Sequence, residues 1–288
     1  MRAPYKQIEI RSDVPLQEAT TYKNVGSLKT VVYPKNINEC KILIEYLEFY
    51  SLPYFIIGNG SNLLISPETK KICINLCKMR EKTKIKDDIL SFSSQIKLAK
   101  AFSVCKQHGF TGFENLATIP ATLGGAIKNN ASCNGQAVFD YLEKITLLKN
   151  GVLKSMKKSE CNYSYHHTNL ENCVIISASF KLPRAPSKEI EDNFQKAVEF
   201  RLSHQPKGFS CGSVFKNPEN FSAGFLIDKC ALKGKRRGGA VISDKHANFI
   251  INDNNASFED INYLIEYCKE EVYRKFGIIL EEEVEKIQ

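Results

Sequence analysis

The segment Gly58-Asn59-Gly60-Ser61-Asn62 constrains the fold more than any other, because apolar runs predicted to be strands flank it on both sides. The run Tyr54–Ile57 precedes it, and Leu63-Leu64-Ile65 follows it. A Rossmann turn or a P-loop requires a helix directly after the glycines, so the sequence excludes both. Two alternatives stay open: a plain hairpin turn, and a loop whose successive N–H groups form an anion-binding nest.

A second glycine-containing stretch, residues 112–135, supports the anion-binding alternative. Gly124-Gly125-Ala126 is small enough for a ring or a diphosphate to lie against the backbone. Thr122, Asn129 and Asn130 add neutral hydrogen-bonding groups. Two such loops, each after its own segment of helix and strand, fit one long dinucleotide better than two unrelated turns.

The composition is that of a globular protein, and the charge is compatible with an anionic small substrate. The 288 residues are 43% hydrophobic and 25% charged, which is ordinary for a folded protein with a sizeable core. No apolar run approaches the ~20 residues of a membrane span, and none follows residues 1–6, so we expect neither membrane insertion nor a secretory signal. The net charge of +8 suits an anionic substrate and, without a dense basic stripe, gives nucleic-acid binding no support.

The ten cysteines show no Cys-x-x-Cys spacing, which disfavours zinc and redox motifs, and we predict no metal site. Their apolar neighbours instead predict reduced, buried thiols in a cytoplasmic protein. Three are predicted on apolar faces of helices (Cys40, Cys105 and Cys268) and three in strands (Cys73, Cys77 and Cys173).

Hydrophobic periodicity and turn residues predict an α+β fold without strict alternation of strands and helices. Helices are predicted over residues 36–50, where Asn36 and Glu39 form an approximate capping box, and over 94–108 and 188–203. Another helix is predicted after a cap formed by Ser257 and Asp260, with Ile261, Leu264, Ile265, Cys268, Val272 and Phe276 on one face. Strands are predicted over 173–182 and 278–284, with a hairpin at Asn150-Gly151. Pro183 and Pro186 indicate a domain boundary.

Residues 212–218, Gly-Ser-Val-Phe-Lys-Asn-Pro, place the Ser213 hydroxyl in a tight polar turn after a glycine. Together with the glycine loops, this turn indicates a nucleotide-cofactor enzyme that uses a proton-donating serine. The alternative is a turn serine that hydrogen-bonds its own backbone.

These motifs occur in the order found in one family. Along nearly its whole length the chain resembles the UDP-N-acetylenolpyruvoylglucosamine reductase (MurB) family, and the short spacing between Pro218 and Ala223 resembles its compact subtype. The segments that carry the resemblance are residues 24–27, 58–63, 112–125, 212–218, 223–228, 232–234, 238–240, 245–247 and 280–284.

The resemblance implies an α+β protein with an FAD-binding fold of the vanillyl-alcohol-oxidase type, made of two subdomains and an α+β substrate-binding domain. The FAD-binding subdomains are expected at residues 1–80 and 81–184 and the substrate-binding domain at 185–277, with 278–288 a candidate strand of the first subdomain. NADPH is expected to reduce non-covalent FAD, whose N5 delivers hydride to the enolpyruvyl group of UDP-N-acetylglucosamine enolpyruvate. The product is UDP-N-acetylmuramate for peptidoglycan synthesis, and the enzyme is expected to be monomeric and cytoplasmic.

The resemblance also implies roles for individual residues. Ser213 matches the proton donor, and Glu283 matches the glutamate that acts as, or assists, the general acid near the enolate. Without the resemblance, Glu283 reads as a solvated residue of the charge run 281–285. The expected FAD-binding residues are Gly58, Asn59, Gly60, Ser61, Asn62, Leu63, Ile119, Pro120, Thr122, Gly124, Gly125, Ala126 and Asn130, and the expected substrate-binding residues are Tyr165, Arg201, Asn217 and His246.

Residues 163–168, Tyr-Ser-Tyr-His-His-Thr, depart from the family pattern, because His166 stands where the family has an arginine. An arginine grips a carboxylate in a permanently charged fork, whereas a histidine titrates near ~6.5. We hypothesise that His166 supplies a weaker, pH-dependent catalytic electrophile. The alternatives are replacement by Arg201 or Lys216, or an ordinary surface role for His166.

Smaller departures fall in the flavin loops, where Ala121 replaces a glycine and residues 130–135 read Asn-Ala-Ser-Cys-Asn-Gly. Alanine at position 121 requires a backbone conformation that accepts a β-carbon. These changes concern the detailed geometry of FAD binding rather than binding itself.

Two other functions stay open: a different FAD oxidoreductase of the same fold, and a non-catalytic nucleotide-binding relative. The missing arginine motivates the second, and the serine and glutamate motifs disfavour both. The basic run 233–237 is more typical of a solvated loop than of a diphosphate site.

Overall fold

The computed structural model describes residues 8–288, so the N-terminal segment considered for a secretory signal lies outside the described residues. The helices are α1 (Leu16–Ala19), α2 (Ile37–Phe49), α3 (Leu98–Gln107), α4 (Leu123–Lys128), α5 (Ser187–His204), α6 (Ala223–Lys229) and α7 (Phe258–Phe276). The strands are β1 (Glu9–Pro15), β2 (Ser27–Tyr33), β3 (Tyr54–Ile57), β4 (Leu63–Ile65), β5 (Ile72–Asn75), β6 (Thr83–Lys86), β7 (Ile89–Ser93), β8 (Ser132–Cys133), β9 (Gln136–Ala137), β10 (Leu142–Lys149), β11 (Val152–Lys157), β12 (Tyr163–Ser164), β13 (His167–Thr168), β14 (Val174–Lys181), β15 (Arg236–Arg237), β16 (Ala240–Ile242), β17 (Ile250–Asn252) and β18 (Glu285–Ile287). Helices thus accompany both antiparallel and parallel sheets, which confirms the predicted α+β class.

The chain forms two compact units, each assembled from three separate stretches. Of the described residues, the first unit comprises 8–11, Val31–Gly58 and Ile72–Arg201, and the second comprises Ser12–Thr30, Asn59–Lys71 and Leu202–Gln288. Among residues 8–288, every helix is too short or too polar to cross a membrane.

The larger sheet of the first unit has five antiparallel strands in the order β11-β10-β14-β7-β6. Asn150 and Gly151 join β10 to β11 with positive φ at both residues, the conformation that Asn-Gly hairpin turns adopt, so the predicted hairpin is confirmed. Phe92, Phe113 and Phe180 form tilted and edge-on pairs in the core that this sheet shares with α3 and α4.

A second sheet, of order β1-β2-β5-β3, contains the parallel strands β2, β5 and β3. Helix α2 belongs to its core and buries Cys40, Leu43, Ile44 and Leu47. The Asn36 carboxamide oxygen accepts a hydrogen bond from the Glu39 N–H at 2.9 Å, which confirms the predicted cap and helix.

The second unit contains the antiparallel sheet β15-β16-β17 and the parallel pair β18-β4, whose register places Glu285 opposite Leu63. Helix α7 packs its apolar face into the core of this unit. Ser257 and Asp260 form the predicted capping box, and Gly277 ends the helix in the left-handed conformation. Phe276, predicted on the buried face, lies instead at the exposed last turn.

Two predicted boundaries are wrong for the same physical reason, which is backbone pairing with a distant segment. Residues 94–97 precede α3 instead of belonging to it, because the Ser94 N–H donates to the Ile176 carbonyl and Lys97 bridges Thr122. Residues 278–284 are not a regular strand. The Glu283 N–H donates to the Val214 carbonyl, and regular strand pairing begins only at Glu285.

All ten cysteines are free thiols. The buried helix positions of Cys40, Cys105 and Cys268 are confirmed. Cys77 is exposed in a 3-10 turn rather than buried in a strand, because the Asn75 side chain accepts from its N–H and turns the chain out of β5. Cys173 lies just before β14 rather than in it.

Gly58 and Thr122 approach each other closely within the first unit. A β-carbon added at Gly58 would lie 2.2 Å from the Thr122 Oγ1. That oxygen caps α4 by accepting from the Gly125 N–H, so rotating it away breaks the cap. The first glycine segment therefore needs glycine at position 58 so that its backbone can lie against Thr122. The plain-hairpin alternative is wrong, because β3 pairs with β5 and β4 pairs with β18, and they do not pair with each other.

We expect Gly58→Ala to lower the free energy of unfolding by about 1–3 kcal/mol, through overpacking against Thr122 and loss of the α4 cap. Gly125→Ala is the matched control, because its β-carbon would lie 3.4 Å from the same Thr122 oxygen, an ordinary contact. Urea unfolding of both variants measures the difference. Equal stability of the two variants would show that the Gly58–Thr122 contact imposes no constraint.

Candidate active site

The backbone around Thr122 is densely packed in the first unit. The Gly124 N–H donates to the Ser94 carbonyl at 2.7 Å, and a β-carbon at Gly124 would lie 2.9 Å from the Ser94 Cβ. Pro120 and Gly125 flank the buried Thr122 and are themselves exposed, whereas the Ala126 side chain is in the core. The second glycine segment thus exposes a proline ring at Pro120 and bare backbone at Gly125.

Ala121, which stands where the family pattern has a glycine, adopts an unstrained backbone conformation. Ala121 is not among the residues with positive φ, its N–H donates to the Ile119 carbonyl at 2.8 Å, and its own carbonyl accepts from the Leu98 N–H at 3.0 Å. The geometry of the segment 119–122 is therefore compatible with alanine.

Asn130 fixes the hairpin that carries His166. Its side-chain amide donates to the Ser164 carbonyl at 2.8 Å, and its carboxamide oxygen accepts from the Phe139 N–H at 3.3 Å. Both polar atoms of the Asn130 side chain are therefore hydrogen-bonded within the protein, and the bond to Ser164 supports the β12–β13 hairpin directly.

His166 occupies the second position of the two-residue turn between β12 and β13, with φ of 48°. Histidine adopts this left-handed conformation more readily than most side chains. The His166 Nε2 lies 3.4 Å from the Ser132 hydroxyl, and the exposed Tyr165 ring meets the imidazole edge-on at 4.2 Å. The two residues thus present a polar and aromatic turn.

Arg201 lies near the end of α5 and is half-buried. Burial lowers the pKa of its guanidinium from the ordinary value, and the Cys133 thiol nearby acts in the opposite direction. Across residues 8–288 no hydrogen bond or ion pair engages it. Lys216, the other candidate replacement for the family arginine, has its ammonium 2.5 Å from a Glu281 carboxylate oxygen.

In the second unit, the loop Asn59–Asn62 contains main-chain N–H groups that can bind a ligand. Gly60 has φ of 60°, and its carbonyl accepts from the Thr21 N–H at 3.1 Å. In the part of the chain that the structure describes, the main-chain N–H groups of Gly60, Ser61 and Asn62 donate to no acceptor. Three successive N–H groups of this kind match the predicted anion nest.

The same loop also supports Glu283. The Asn62 side-chain amide donates to the Glu283 carbonyl at 2.9 Å, and the Glu285 N–H donates to the Asn62 carbonyl at 3.0 Å. This pairing continues as the parallel strands β4 and β18, with Leu63 opposite Glu285. Asn62 and Leu63, expected at the cofactor, therefore also set the backbone position of the glutamate.

Ser213 follows Gly212, which has φ of 85° and no atom within 4 Å of where a β-carbon would be. The Ser213 hydroxyl makes no hydrogen bond to any described residue, so it is not the self-bonded turn serine of the alternative interpretation. After it, the Val214 N–H donates to the Asn248 carbonyl at 2.9 Å, and the Val214 carbonyl accepts from the Glu283 N–H at 2.8 Å. The structure thus brings the Ser213 turn and Glu283 together through Val214.

Glu283 has the electrostatics of an acid that holds its proton near neutral pH. Burial raises the pKa of its carboxyl to about 7, and the nearby Lys216 ammonium acts in the opposite direction. A carboxyl with a pKa near the working pH is suited to proton transfer. The solvated-strand interpretation of Glu283 is therefore wrong.

Asn217 and His246 lie in this unit too. The Asn217 carboxamide oxygen accepts from the Ala223 N–H at 3.0 Å, which closes the turn before α6. The His246 Nδ1 accepts from the Asn248 N–H at 3.2 Å, and burial lowers the pKa of its imidazole. His246 is thus a neutral ring with its proton on Nε2.

Asn248 is the residue of this site that the sequence analysis missed. It follows the motif at residues 245–247 directly, but nothing in a single sequence distinguishes it from other polar residues of strand ends. Its contacts with Phe215, Val214 and His246 become evident only in three dimensions.

Comparison with known proteins covers both units. The chain matches a family described as "UDP-N-acetylenolpyruvoylglucosamine reductase, C-terminal domain" over residues 204–287, and an "FAD binding domain" over residues 28–151. It is 37% identical over 287 residues to the UDP-N-acetylenolpyruvoylglucosamine reductase of Prochlorococcus marinus, covering 97% of this chain and 98% of that protein. The enzyme of the same name from Carboxydothermus hydrogenoformans is 36% identical over 276 residues, covering 94% and 91%.

Solved structures agree with these sequence matches. The crystal structure of UDP-N-acetylenolpyruvylglucosamine reductase from Thermus caldophilus superposes with a TM-score of 0.82 at 29% identity, covering 98% of this chain and 99% of that one. Berberine bridge enzyme, at 13% identity and a TM-score of 0.50 over 64% of this chain and 42% of that chain, shares the fold alone. The predicted FAD-binding fold of the vanillyl-alcohol-oxidase type is thereby confirmed. The chain belongs to the UDP-N-acetylenolpyruvoylglucosamine reductase family and is an FAD-dependent oxidoreductase.

Proposed function

We propose that this protein reduces UDP-N-acetylglucosamine enolpyruvate to UDP-N-acetylmuramate in peptidoglycan precursor synthesis, with NADPH as reductant, Ser213 as proton donor and Glu283 as its supporting acid. The observation that carries this proposal is the buried Glu283 carboxyl, whose pKa is raised to about 7 and whose N–H binds the Val214 carbonyl beside Ser213. A proton source at this point is what the second half of such a reduction requires.

The residues present fit FAD. The N–H groups of Gly60, Ser61 and Asn62, which donate to no described residue, suit the diphosphate. The exposed backbone at Gly125, beside the compact ring of Pro120, suits a flat ring system. We assign FAD binding to Gly58, Asn59, Gly60, Ser61, Asn62, Leu63, Ile119, Pro120, Thr122, Gly124, Gly125, Ala126 and Asn130, the last supporting the fold through its two hydrogen bonds. When bound, FAD carries hydride from NADPH to the substrate double bond.

Hydride addition leaves negative charge on the carbon next to the substrate carboxylate. Ser213 donates a proton to that carbon, because its hydroxyl is uncommitted within residues 8–288. Glu283 in its protonated form stabilises the enolate and restores the serine proton. Both tasks require a neutral carboxylic acid near pH 7, which burial supplies at Glu283.

Substrate binding is assigned to Tyr165, Arg201, Asn217 and His246. The half-buried Arg201, unpaired within the described part of the chain, suits an anionic group of the substrate, because a buried guanidinium gains most from a bidentate anion. His246, neutral and protonated on Nε2, offers one hydrogen-bond donor. His166 supplies the electrophile that the family arginine provides elsewhere.

The domain boundaries at residues 80, 184 and 277 are part of the proposal. The pairing of β18 with β4 supports the assignment of residues 278–288 to the first FAD-binding subdomain. We also propose that the protein is a monomer in the cytoplasm.

The direct test is the visible spectrum of the purified protein, followed by NADPH oxidation with and without UDP-N-acetylglucosamine enolpyruvate. We expect a flavin spectrum, and NADPH loss that depends on the enolpyruvyl substrate. Ser213→Ala should keep the flavin and lose substrate turnover by about 100-fold or more. Flavin without substrate-dependent NADPH loss would point to a different oxidoreductase or a non-catalytic relative, and absence of flavin after reconstitution would contradict the assignment of both glycine segments.

Glu283→Gln should remove the alkaline limb of the pH–rate profile. If protonated Glu283 supports the serine, wild-type turnover falls as pH rises through about 7, because the carboxyl then ionises. The variant should be slower at pH 6 and flat across this region. Glu282→Gln is the matched control, since Glu282 is its neighbour and its carboxylate forms ion pairs with Lys269 and Lys286. An alkaline limb that persists in Glu283→Gln would assign the titration to another group.

The Glu283 carboxyl should make the folded protein less stable as pH rises. Between pH 4.5, its ordinary pKa, and about 7, the unfolded chain ionises this group while the folded chain keeps its proton. The wild type should therefore lose roughly 2–3 kcal/mol relative to Glu283→Gln as pH rises across this window. Urea unfolding of both proteins at pH 5 and pH 8 measures the difference.

His166→Ala tests the replacement of the family arginine. We expect turnover to fall by about 10- to 100-fold, because the enolate and carboxylate lose a hydrogen-bond donor. His167→Ala is the control at the neighbouring, exposed position. Unchanged turnover and substrate affinity in His166→Ala would show that Arg201, not His166, is the electrophile. Arg201→Ala should then lower turnover instead.

A further inference from the structure

We propose that Asn248 is a positioning residue that holds Ser213 and His246 in their working geometry. The inference rests on the proposed function, because Ser213 and His246 receive their roles there. It concerns a residue that touches neither substrate nor cofactor in the proposal and acts through two residues that do.

The Asn248 side chain pairs with one peptide unit of the serine segment. It is 3% exposed, its Oδ1 accepts from the Phe215 N–H at 2.9 Å, and its Nδ2 donates to the Phe215 carbonyl at 2.8 Å. Only a carboxamide of this length offers one donor and one acceptor in this arrangement. An aspartate keeps the acceptor but sets an oxygen against the Phe215 carbonyl.

The Asn248 main chain makes the second link. Its carbonyl accepts from the Val214 N–H at 2.9 Å, and the Val214 carbonyl accepts from the Glu283 N–H at 2.8 Å. Asn248 therefore grips two successive residues, Val214 and Phe215, on one side, while Glu283 holds Val214 on the other. The Phe215 side chain, 1% exposed, anchors the segment in the core.

On the other side of the serine, the described contacts lie further along the chain. The Thr21 hydroxyl donates to the Ser210 carbonyl at 2.7 Å, and Cys211 is buried in the core. Gly212, between Cys211 and the serine, has a left-handed φ, and a β-carbon there would meet no atom within 4 Å. The residues that Asn248 binds follow Ser213 directly, and they hold it from its C-terminal side.

The third link is to His246. The Asn248 N–H donates to the His246 Nδ1 at 3.2 Å, which places the ring proton on Nε2 and orients that nitrogen away from Asn248. Phe249 packs edge-on against the same ring at 4.9 Å between centroids. One residue thus couples the orientation of a substrate-binding histidine to the position of the proton donor.

The test compares Asn248→Asp with Asn252→Asp in the FAD-loaded protein. Asn252 is a matched control, because it is also buried in this unit and makes three hydrogen bonds, two to the Tyr22 and Lys23 carbonyls and one from the Ala256 N–H. Rapid mixing measures the reduction of FAD by NADPH and its reoxidation by UDP-N-acetylglucosamine enolpyruvate separately. Product formed in deuterium oxide reports the configuration of the protonated carbon, and urea unfolding reports stability.

We expect both variants to lose stability, and only Asn248→Asp to slow reoxidation, by about 100-fold, since a misplacement of ~1 Å at a reacting group costs this much. FAD reduction should stay unchanged, and a second configuration should appear at the protonated carbon. Asn248→Ser, whose side chain is too short to bond both Phe215 atoms, should slow reoxidation in the same way as Asn248→Asp. It replaces Asn248→Asp in the test if the aspartate variant does not fold.

Equal slowing of both half-reactions in Asn248→Asp, or equal slowing of reoxidation in Asn248→Asp and Asn252→Asp, would overturn the positioning role and leave a structural one. Wild-type protein that fails to oxidise NADPH with this substrate would instead overturn the proposed function itself. The wild-type and variant measurements therefore separate the two failures.

Discussion

The arrangement of the second unit depends on the backbone of Val214, which is hydrogen-bonded on both sides. Its N–H donates to the Asn248 carbonyl and its carbonyl accepts from the Glu283 N–H, so three segments far apart in sequence meet at one residue. The glutamate segment is in turn held by Asn62 and by the parallel pairing of β18 with β4. These contacts hold the main chain of Glu283 against the residue that follows Ser213. The raised pKa of Glu283 follows from the burial that this packing enforces.

A second constraint is the absence of side chains at a few glycines. Gly58 and Gly124 have no room for a β-carbon, and in both cases the obstacle belongs to another segment of the same unit, Thr122 or Ser94. The close approach of these segments therefore requires that both positions carry no side chain. Gly60 differs, because it combines a left-handed φ with an Ala19 carbonyl 2.3 Å from where a β-carbon would be. Its replacement would be strained by both conformation and space.

Features that depend on local sequence could be predicted, and features that depend on long-range backbone pairing could not. The caps at Asn36 and Ser257 and the turn at Asn150-Gly151 are local chemistry, and all three are confirmed. Residues 278–284 were predicted to be a strand, yet their partners are single hydrogen bonds to Val214 and Lys216, which no periodicity reveals. Asn248 was missed for the same reason. Glu283 was singled out by a family motif alone, whereas the burial that raises its pKa comes from tertiary packing.

The histidine at position 166 shows how a departure from a family pattern can be accommodated. His166 lies at a left-handed turn position, next to Tyr165 and within 3.4 Å of the Ser132 hydroxyl, so the hairpin holds its ring. Permanent positive charge is available in the same unit at Arg201, a half-buried guanidinium that no described acidic residue neutralises. An enolate needs stabilisation by hydrogen bonds and positive charge in combination, rather than from one residue type. Under the proposed function, the arginine's two tasks are divided between a turn histidine, which supplies a hydrogen bond, and a helix arginine, which supplies the permanent charge.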